Sequence, residues 1–228
     1  MKSNVVAVAD ALRDAIVKGR LPAGERIKEA PLAAQLGVSR GPIRDALRLL
    51  QAEGLIDIHP NRGAVVPEVH AADVFEVYVI RAFLGGLALR KLMLGGQQPV
   101  DGRLERALRA FERAVSAGDD QKAAEADLLF QEAIVRAAGM PRVAAEFERL
   151  SWQVRMFISA LDLRYTDKLQ VMFEEVEQLH AAIVSGDVAV AQRLWREKFE
   201  RWMRDIVDLL PDEDVDGALW LALTSRPS

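Results

Sequence analysis

The chain has 228 residues, half of them apolar, no cysteine, and a formal charge of −4. This suits two ordinary domains or one large one with a sizeable core, and excludes disulfides, thiolate nucleophiles and cysteine-ligated zinc. No run of about 18 apolar residues is long enough for a membrane span, and charge interrupts the start too early for a signal peptide, so the expectation is a soluble cytoplasmic chain with no membrane partner.

The first helix is expected over Val5 to Lys18, with Val8, Leu12, Ala15 and Ile16 at helical spacing and Gly19 as its stop. LPAGERI reads as a turn into a short extended piece, and Pro31 suits the first turn of a second helix ending near Leu36. After Gly37, Ser39 is placed to cap a third helix over Arg40 to Glu53, whose apolar stripe is Ile43, Ala46, Leu47 and Leu50. Gly54 ends it, and two short strands, Leu55 to His59 and Ala64 to Pro67, follow around a Pro-Asn-Arg-Gly turn. Beyond Val69 the chain reads as helices near 71–95, 101–117, 120–138, 141–161, 167–185 and 188–210, with a frayed or lightly docked tail over 211–228. The predicted architecture is mostly α. A winged helix-turn-helix domain occupies 1–68 and an all-α antiparallel helical bundle 69–210.

Charge is unevenly divided. Residues 1–70 hold 10 Lys/Arg against 8 Asp/Glu, net +2, and the remainder holds 20 against 26, net −6. An acidic partner therefore belongs at the N-terminal end. In a helix-turn-helix the third helix enters the major groove by its N-terminal end, where Ser39, Arg40 and Arg44 stand, with Arg48 one turn further on. Arginine pairing with guanine is the commonest specific contact, and the wing tip Asn61-Arg62-Gly63 supplies a second positive point for the neighbouring groove or phosphates. Asp45 and Glu53 are expected to neutralise the helix arginines only in part.

In the helical half, projection at about 100° per residue places ionisable groups within apolar stripes. Arg81 falls among Val74, Val77, Leu84, Ala88 and Leu92; Asp127 and Gln131 fall among Ala123, Ala124, Ile134 and Val135, with Lys122, Glu125, Glu132 and Arg136 on the opposite face. His180 sits among Phe173, Val176 and Ile183, and Lys198 among Ala191, Trp202 and Leu209. Buried charge must be paired or bound to a ligand, so five such residues on one interior predict a polar cavity; a plain structural ion pair is the competing reading. Trp195, Phe199, Trp202, Ile206 and Leu209 read as core or a dimer seam, and Trp152 and Arg155 as an interface or rim.

LRDAIVKGRLPAGERI followed by LAAQLGVSRGPIRDALRLLQAEGLIDIHPNRGAVV resembles the DNA-binding domain of the GntR family of bacterial transcription regulators. VYVIRAFLGGLAL, the GDD…ADLLF helix and LHAAIVSGD resemble the ligand-binding domain of its FadR subfamily, the FCD type. The resemblance implies DNA contacts at Arg40, Arg44 and Arg62-Gly63, with two departures: Gly41 where the family usually has Thr, and Ala30 where some members carry Arg. It also implies an effector pocket in which many members hold a divalent metal through one Asp and three His. Here those positions are Asp127, Gln131, His180 and Lys198. Two imidazoles are missing and an ammonium repels a cation, so no metal cofactor is expected. Lys198 would replace it, pairing with Asp127 when the site is empty and, with Arg81, holding an anionic effector such as a carboxylate.

The resulting expectation is a homodimeric, effector-controlled regulator, usually a repressor, on a palindromic operator in double-stranded DNA. Two other classes stay open: a constitutive DNA-binding dimer with a decayed pocket, and an enzyme using Asp127 and His180 as a general acid/base pair, which lacks both a cysteine nucleophile and a Gly-rich phosphate loop.

Overall fold

The computed structural model describes residues 4–60, 63–95, 102–162 and 168–209, with side chains described up to 203. The wing-tip residues Asn61 and Arg62, the tail 211–228, and the side chains of Ile206 and Leu209 lie outside these residues. Packing divides the chain into two units, Met1–His70 with Arg149–Leu163, and Ala71–Glu148 with Arg164–Ser228.

The first unit holds α1 (Asn4–Val17), β1 (Arg26–Ile27), α2 (Glu29–Leu36), α3 (Arg40–Ala52), β2 (Asp57–His59) and β3 (Gly63–Val65). Helix α1 buries Val8, Ala9, Leu12 and Ile16, and α3 buries Ile43, Ala46, Leu47 and Leu50. These stripes carry the core that the spacing of three and four predicts. Gly37 closes α2 in the left-handed conformation (φ 64°), a geometry that a Cβ disfavours, and two residues later α3 can begin. Ser39 occupies the N-cap position with extended backbone but makes no side-chain capping bond, which corrects the capping role expected for it. The strands form an antiparallel sheet in the order β1-β3-β2, with Ile27 opposite Ala64 and Asp57 opposite Val65. The short extended piece in the sequence is thus the edge partner of the wing hairpin.

The second unit contains α4 (Ala71–Leu94), α5 (Arg103–Ser116), α6 (Asp120–Ala137), the start of α7 (Pro141–Ala160), α8 (Leu169–Ser185) and α9 (Val188–Leu209). Asp119 caps α6 by accepting from the Lys122 N–H at 3.0 Å. Short turns fold α5 back on α6 and α8 back on α9. Phe111, Phe130, Ile134, Val176 and Ala191 are fully inaccessible at the centre. Helices α4 and α9 meet at Gly85, where the Trp195 ring lies on bare backbone; a Cβ there would come within 2.0 Å of Trp195 Cζ2. Trp195 Nε1 donates to the Ala82 carbonyl at 3.0 Å.

Two polar assignments differ from the projection. Glu132, placed on the outward face of its helix, is 5 % exposed and lies 3.5 Å from Arg136. Helix α6 is surrounded by α4, α5 and α8, so it buries more than one face. Arg155, placed at a rim, is also buried. Its guanidinium lies 4.7 Å from the Trp152 ring centroid, and Arg13 of α1 lies 5.1 Å from the same ring. Each guanidinium gains quadrupole attraction from the same indole.

Candidate DNA-binding face and buried polar centre

Because Ile43, Ala46, Leu47 and Leu50 turn inward, Arg40, Arg44 and Arg48 at four-residue spacing share the outward side of α3, and all three are exposed. Its first turn carries no acidic residue, so the positive end of the helix dipole adds to Arg40 and Arg44. Gly41 sits beside them with open space around it. Glu53 does not serve these arginines: it makes two hydrogen bonds to Arg13, at 2.6 and 2.8 Å, which also hold that guanidinium above its ordinary pKa. The acid that meets Arg44 is Glu29, at the start of α2, with Arg44 Nε donating at 3.2 Å. Asp45 lies 3.7 Å from Arg48. Exposed pairs of this kind contribute little and are screened by salt, so phosphate can displace them. At the wing, Gly63 adopts φ 78° and pairs with His59. Every residue of β2 is exposed, leaving that edge open to solvent.

The second unit contains a buried polar chain that runs across three helices. Arg81 of α4 donates from Nη2 to Gln131 Oε1 at 2.7 Å, and Gln131 Nε2 donates to Asp127 Oδ2 at 2.9 Å. The other carboxylate oxygen, Asp127 Oδ1, lies 2.9 Å from Lys198 Nζ of α9. Arg81 also donates to the Phe147 carbonyl at 3.3 Å and lies 4.1 Å from the Phe147 ring centroid. Exposures are 1 % for Arg81, 5 % for Asp127, 4 % for Gln131 and 2 % for Lys198. The Lys198–Asp127 contact has the distance of an ion pair but not the angle of a hydrogen bond, so Lys198 Nζ makes no hydrogen bond among the described residues.

His180, the fifth residue expected here, stands apart from that chain in its contacts. It lies beside the Phe130 ring, 6.3 Å between centroids, with Nε2 3.9 Å from Glu105 Oε1. The residue that α8 adds to the centre is Glu175. Burial raises its pKa above the usual carboxylate value, opposed by the nearby charges of Lys198 and Arg201, and it forms a close ion pair with Arg201. Tyr78, one turn before Arg81, is buried between the Arg81 and Asp127 charges, and burial drives its hydroxyl well above the ordinary range. Both were legible in principle: Tyr78 stands three residues before Arg81, and Glu175 stands three after Met172 and four before Leu179, on the edge of a buried stripe. A cleft of about 310 Å³ is present in the first unit. In the second, one of about 260 Å³ is lined by Lys168, Val171, Met172, Glu175, Arg201 and Trp202.

The donor set does not match a transition-metal site. Asp127 and His180 are the only metal-type side chains among the four expected positions, and among the described residues no group of three His, Cys, Asp or Glu is placed to hold a metal ion. An ammonium already stands 2.9 Å from Asp127.

A winged helix-turn-helix with an exposed arginine stripe, followed by a helical bundle with a charged interior, is the arrangement of a DNA-binding transcription regulator with a second, helical domain. Residues 4–66 match the model of the bacterial regulatory proteins of the gntR family, and residues 76–201 match the FCD domain. The chain belongs to the GntR family, in the branch that carries an FCD domain. It is 35% identical over 193 residues to the Paenarthrobacter nicotinovorans protein named "Probable D-xylose utilization operon transcriptional repressor", covering 81% of this chain and 82% of that one. It is 28% identical over 230 residues to the gluconate operon transcriptional repressor of Bacillus subtilis (strain 168), covering 96% and 88%. A match to the Bacillus subtilis regulator YdhC, at 37% identity, covers about half of each chain (48% and 49%). In overall fold it is similar to a GntR regulator from Rhodococcus sp. RHA1, with a TM-score of 0.77 at 24% identity over 91% of this chain and 99% of that one.

Proposed function

We propose that the protein is a homodimeric repressor that binds a palindromic operator and responds to a small anionic metabolite, a carboxylate, held at the buried polar centre without a metal ion. The observation that carries this reading is the charge balance there. Two buried cations, Arg81 and Lys198, stand against one buried carboxylate, Asp127, while the half-buried Glu175, whose pKa burial raises, pairs with the exposed Arg201. A surplus of buried positive charge, with an ammonium whose hydrogen bonds are unfilled, favours an entering anion. The cleft beside Glu175 and Arg201 is the route of entry on this reading, and its volume suits a small metabolite.

The acid/base alternative fits less well. Asp127 is engaged by Lys198 and Gln131, and His180 lies beside Glu105 and Phe130. Effector control requires unequal affinity for two arrangements of the DNA-binding units, and a coupling of about 1–3 kcal/mol is typical. Relatives named for gluconate and D-xylose operons make those compounds the first probes; gluconate carries a carboxylate and D-xylose does not. The test is fluorescence anisotropy with DNA from the promoter of the protein's own gene, with and without each compound, and metal analysis of the purified protein. Weakened binding on adding a carboxylate, lost in Lys198→Met, supports the proposal. Stoichiometric zinc or nickel in the protein, or no response to a broad set of carboxylates, refutes it.

A further inference from the structure

Helix α3 carries its arginines toward one end and is held at the other. Backbone N–H groups of Glu53, Gly54 and Leu55 fill the carbonyls of Leu49, Gln51 and Leu50, a closure that the left-handed Gly54 (φ 74°) allows. The Glu53 carbonyl is filled from elsewhere. Gln153 of α7 donates to it from Nε2 at 2.9 Å, across 100 residues of sequence. Gly54 makes that approach possible, since a Cβ there would lie 2.5 Å from the same nitrogen. The neighbouring side chain of α7 reaches Glu53 through an intermediary: Trp152 lies against Arg13, and Arg13 gives Glu53 two hydrogen bonds. Further along α7, Ser159 Oγ stands 2.9 Å from the place a Cβ on Gly19 would take. Residues 149–163 thus pack as a further helix of the DNA-binding unit, with Leu150, Val154, Met156 and Phe157 buried.

These contacts leave the arginines uncovered. Arg40, Arg44 and Arg48 are exposed with α7 in place, so the anchored arrangement is one that can meet DNA. What the anchor sets is direction. Helix α3 has 13 residues, a length of about 20 Å, and its apolar stripe rests on the core between its two ends. A shift of about 1 Å at the Glu53 end therefore swings Arg40 by a similar amount. Hydrogen bonds to base edges tolerate only about 0.5 Å. A long arginine that loses a base edge can still re-aim at a phosphate, which carries no sequence information. Loss of the anchor should therefore cost discrimination between sequences more than it costs grip on DNA.

We propose that Gln153 is a positioning residue for sequence recognition: from α7 it fixes the C-terminal end of α3, so that the N-terminal end meets base edges in register, and it touches no DNA itself. The test uses the full chain and two DNA duplexes, one enriched by the wild-type protein from a random-sequence pool and one of the same composition scrambled. Gln153→Met keeps the volume and removes the donor, and Gln153 is part-exposed, so the core stays intact. By fluorescence anisotropy its affinity for the enriched duplex should fall by about five- to ten-fold, while the scrambled duplex is held to within about two-fold. The salt dependence on the scrambled duplex should not change, because no phosphate contact is lost. Gln153→Lys restores a donor and should return the ratio of the two affinities to within about two-fold of wild type. Thermal denaturation of Gln153→Ala, Gly54→Ala and the double variant tests the contact. The combined loss should be smaller than the sum, since alanine at 153 clears the space a methyl group at 54 needs. An equal loss on both duplexes, a Gln153→Met protein that keeps its preference, or a Gln153→Lys protein no better than Gln153→Met overturns the positioning role. Strictly additive losses in the cycle overturn the contact itself. A wild-type protein that enriches no sequence overturns the proposal as well, because there is then no base reading to position.

Discussion

Replacing Lys198 by methionine keeps the length and apolar stem of the side chain and removes only the ammonium. In the wild type that ammonium lies 2.9 Å from Asp127 Oδ1, where two unit charges attract by about 6 kcal/mol at an effective dielectric of about 20. Much of that offsets the desolvation of both groups. The variant leaves Asp127, 5 % exposed, as a buried carboxylate facing an apolar thioether. Removing one partner of a buried pair costs about 3–5 kcal/mol, and since Gln131 still donates to Asp127 the lower end applies, about 3 kcal/mol. For a chain of this size that lowers Tm by about 6–12 °C. Thermal and urea denaturation followed by circular dichroism at 222 nm measure it. The double variant Lys198→Met/Asp127→Asn removes both charges and should recover most of the loss, so the double-mutant cycle should show a coupling of about 2 kcal/mol or more. A single variant within about 0.5 kcal/mol of wild type, or strict additivity in the cycle, would refute the claim that the two charges meet out of water.

Other consequences follow from neighbouring residues. Glu175 has a folded-state pKa above its ordinary 4.5, so the folded chain binds more protons than the unfolded one just above that value. Stability therefore falls as pH rises from 4.5 through the folded value; in Glu175→Gln that slope should flatten, as denaturation midpoints between pH 4 and 8 will show. Gly85→Ala places a methyl group 2.0 Å from the Trp195 ring and should lose about 1–3 kcal/mol despite the better helix propensity of alanine. A stabilised variant would mean that α4 and α9 are not in such close contact. Glu29→Gln removes the acid beside Arg44 and should tighten operator binding by about two- to five-fold at low salt, with the difference fading at high salt. Unchanged or weaker affinity would show that Glu29 does not compete with phosphate.

Several helix ends were legible because they are punctuated. Gly37 is a left-handed C-cap, as is Gly186, and Pro141 opens α7. The inward placement of Arg81, Asp127, Gln131 and Lys198 was legible too, since each helix's apolar stripe runs past them. Projection failed where its assumption of one wet face failed. Helix α6 packs against α4, α5 and α8, and Glu132 is buried as a result; the apolar residues Leu128, Phe130 and Ala133, which lie outside the predicted stripe and are buried, were the available sign that more than one face is covered. Pairings between distant segments left no trace in spacing. Glu53 meets Arg13, Arg44 meets Glu29, and Gln153 of α7 donates to the Glu53 carbonyl at 2.9 Å, each at a sequence separation that periodicity cannot reach. His180 is a third case: its position among apolar residues is correct, yet its rotation about α8 leaves it beside Glu105 and brings Glu175 toward Lys198 instead.

The central claim is that the arginine face of α3 grips duplex DNA. It is tested most directly by titrating DNA from the promoter of the protein's own gene at several salt concentrations, with wild-type protein and with Arg40→Ala/Arg44→Ala. Wild-type affinity should fall steeply with salt, and the variant should bind more weakly with a log–log slope shallower by about 2 if both arginines meet phosphate. Base contacts by the same side chains would appear instead as lost preference for that sequence, at about 1–3 kcal/mol per arginine. Equal affinity and equal slope for the two proteins, or binding by the wild type that ignores salt, would contradict the account.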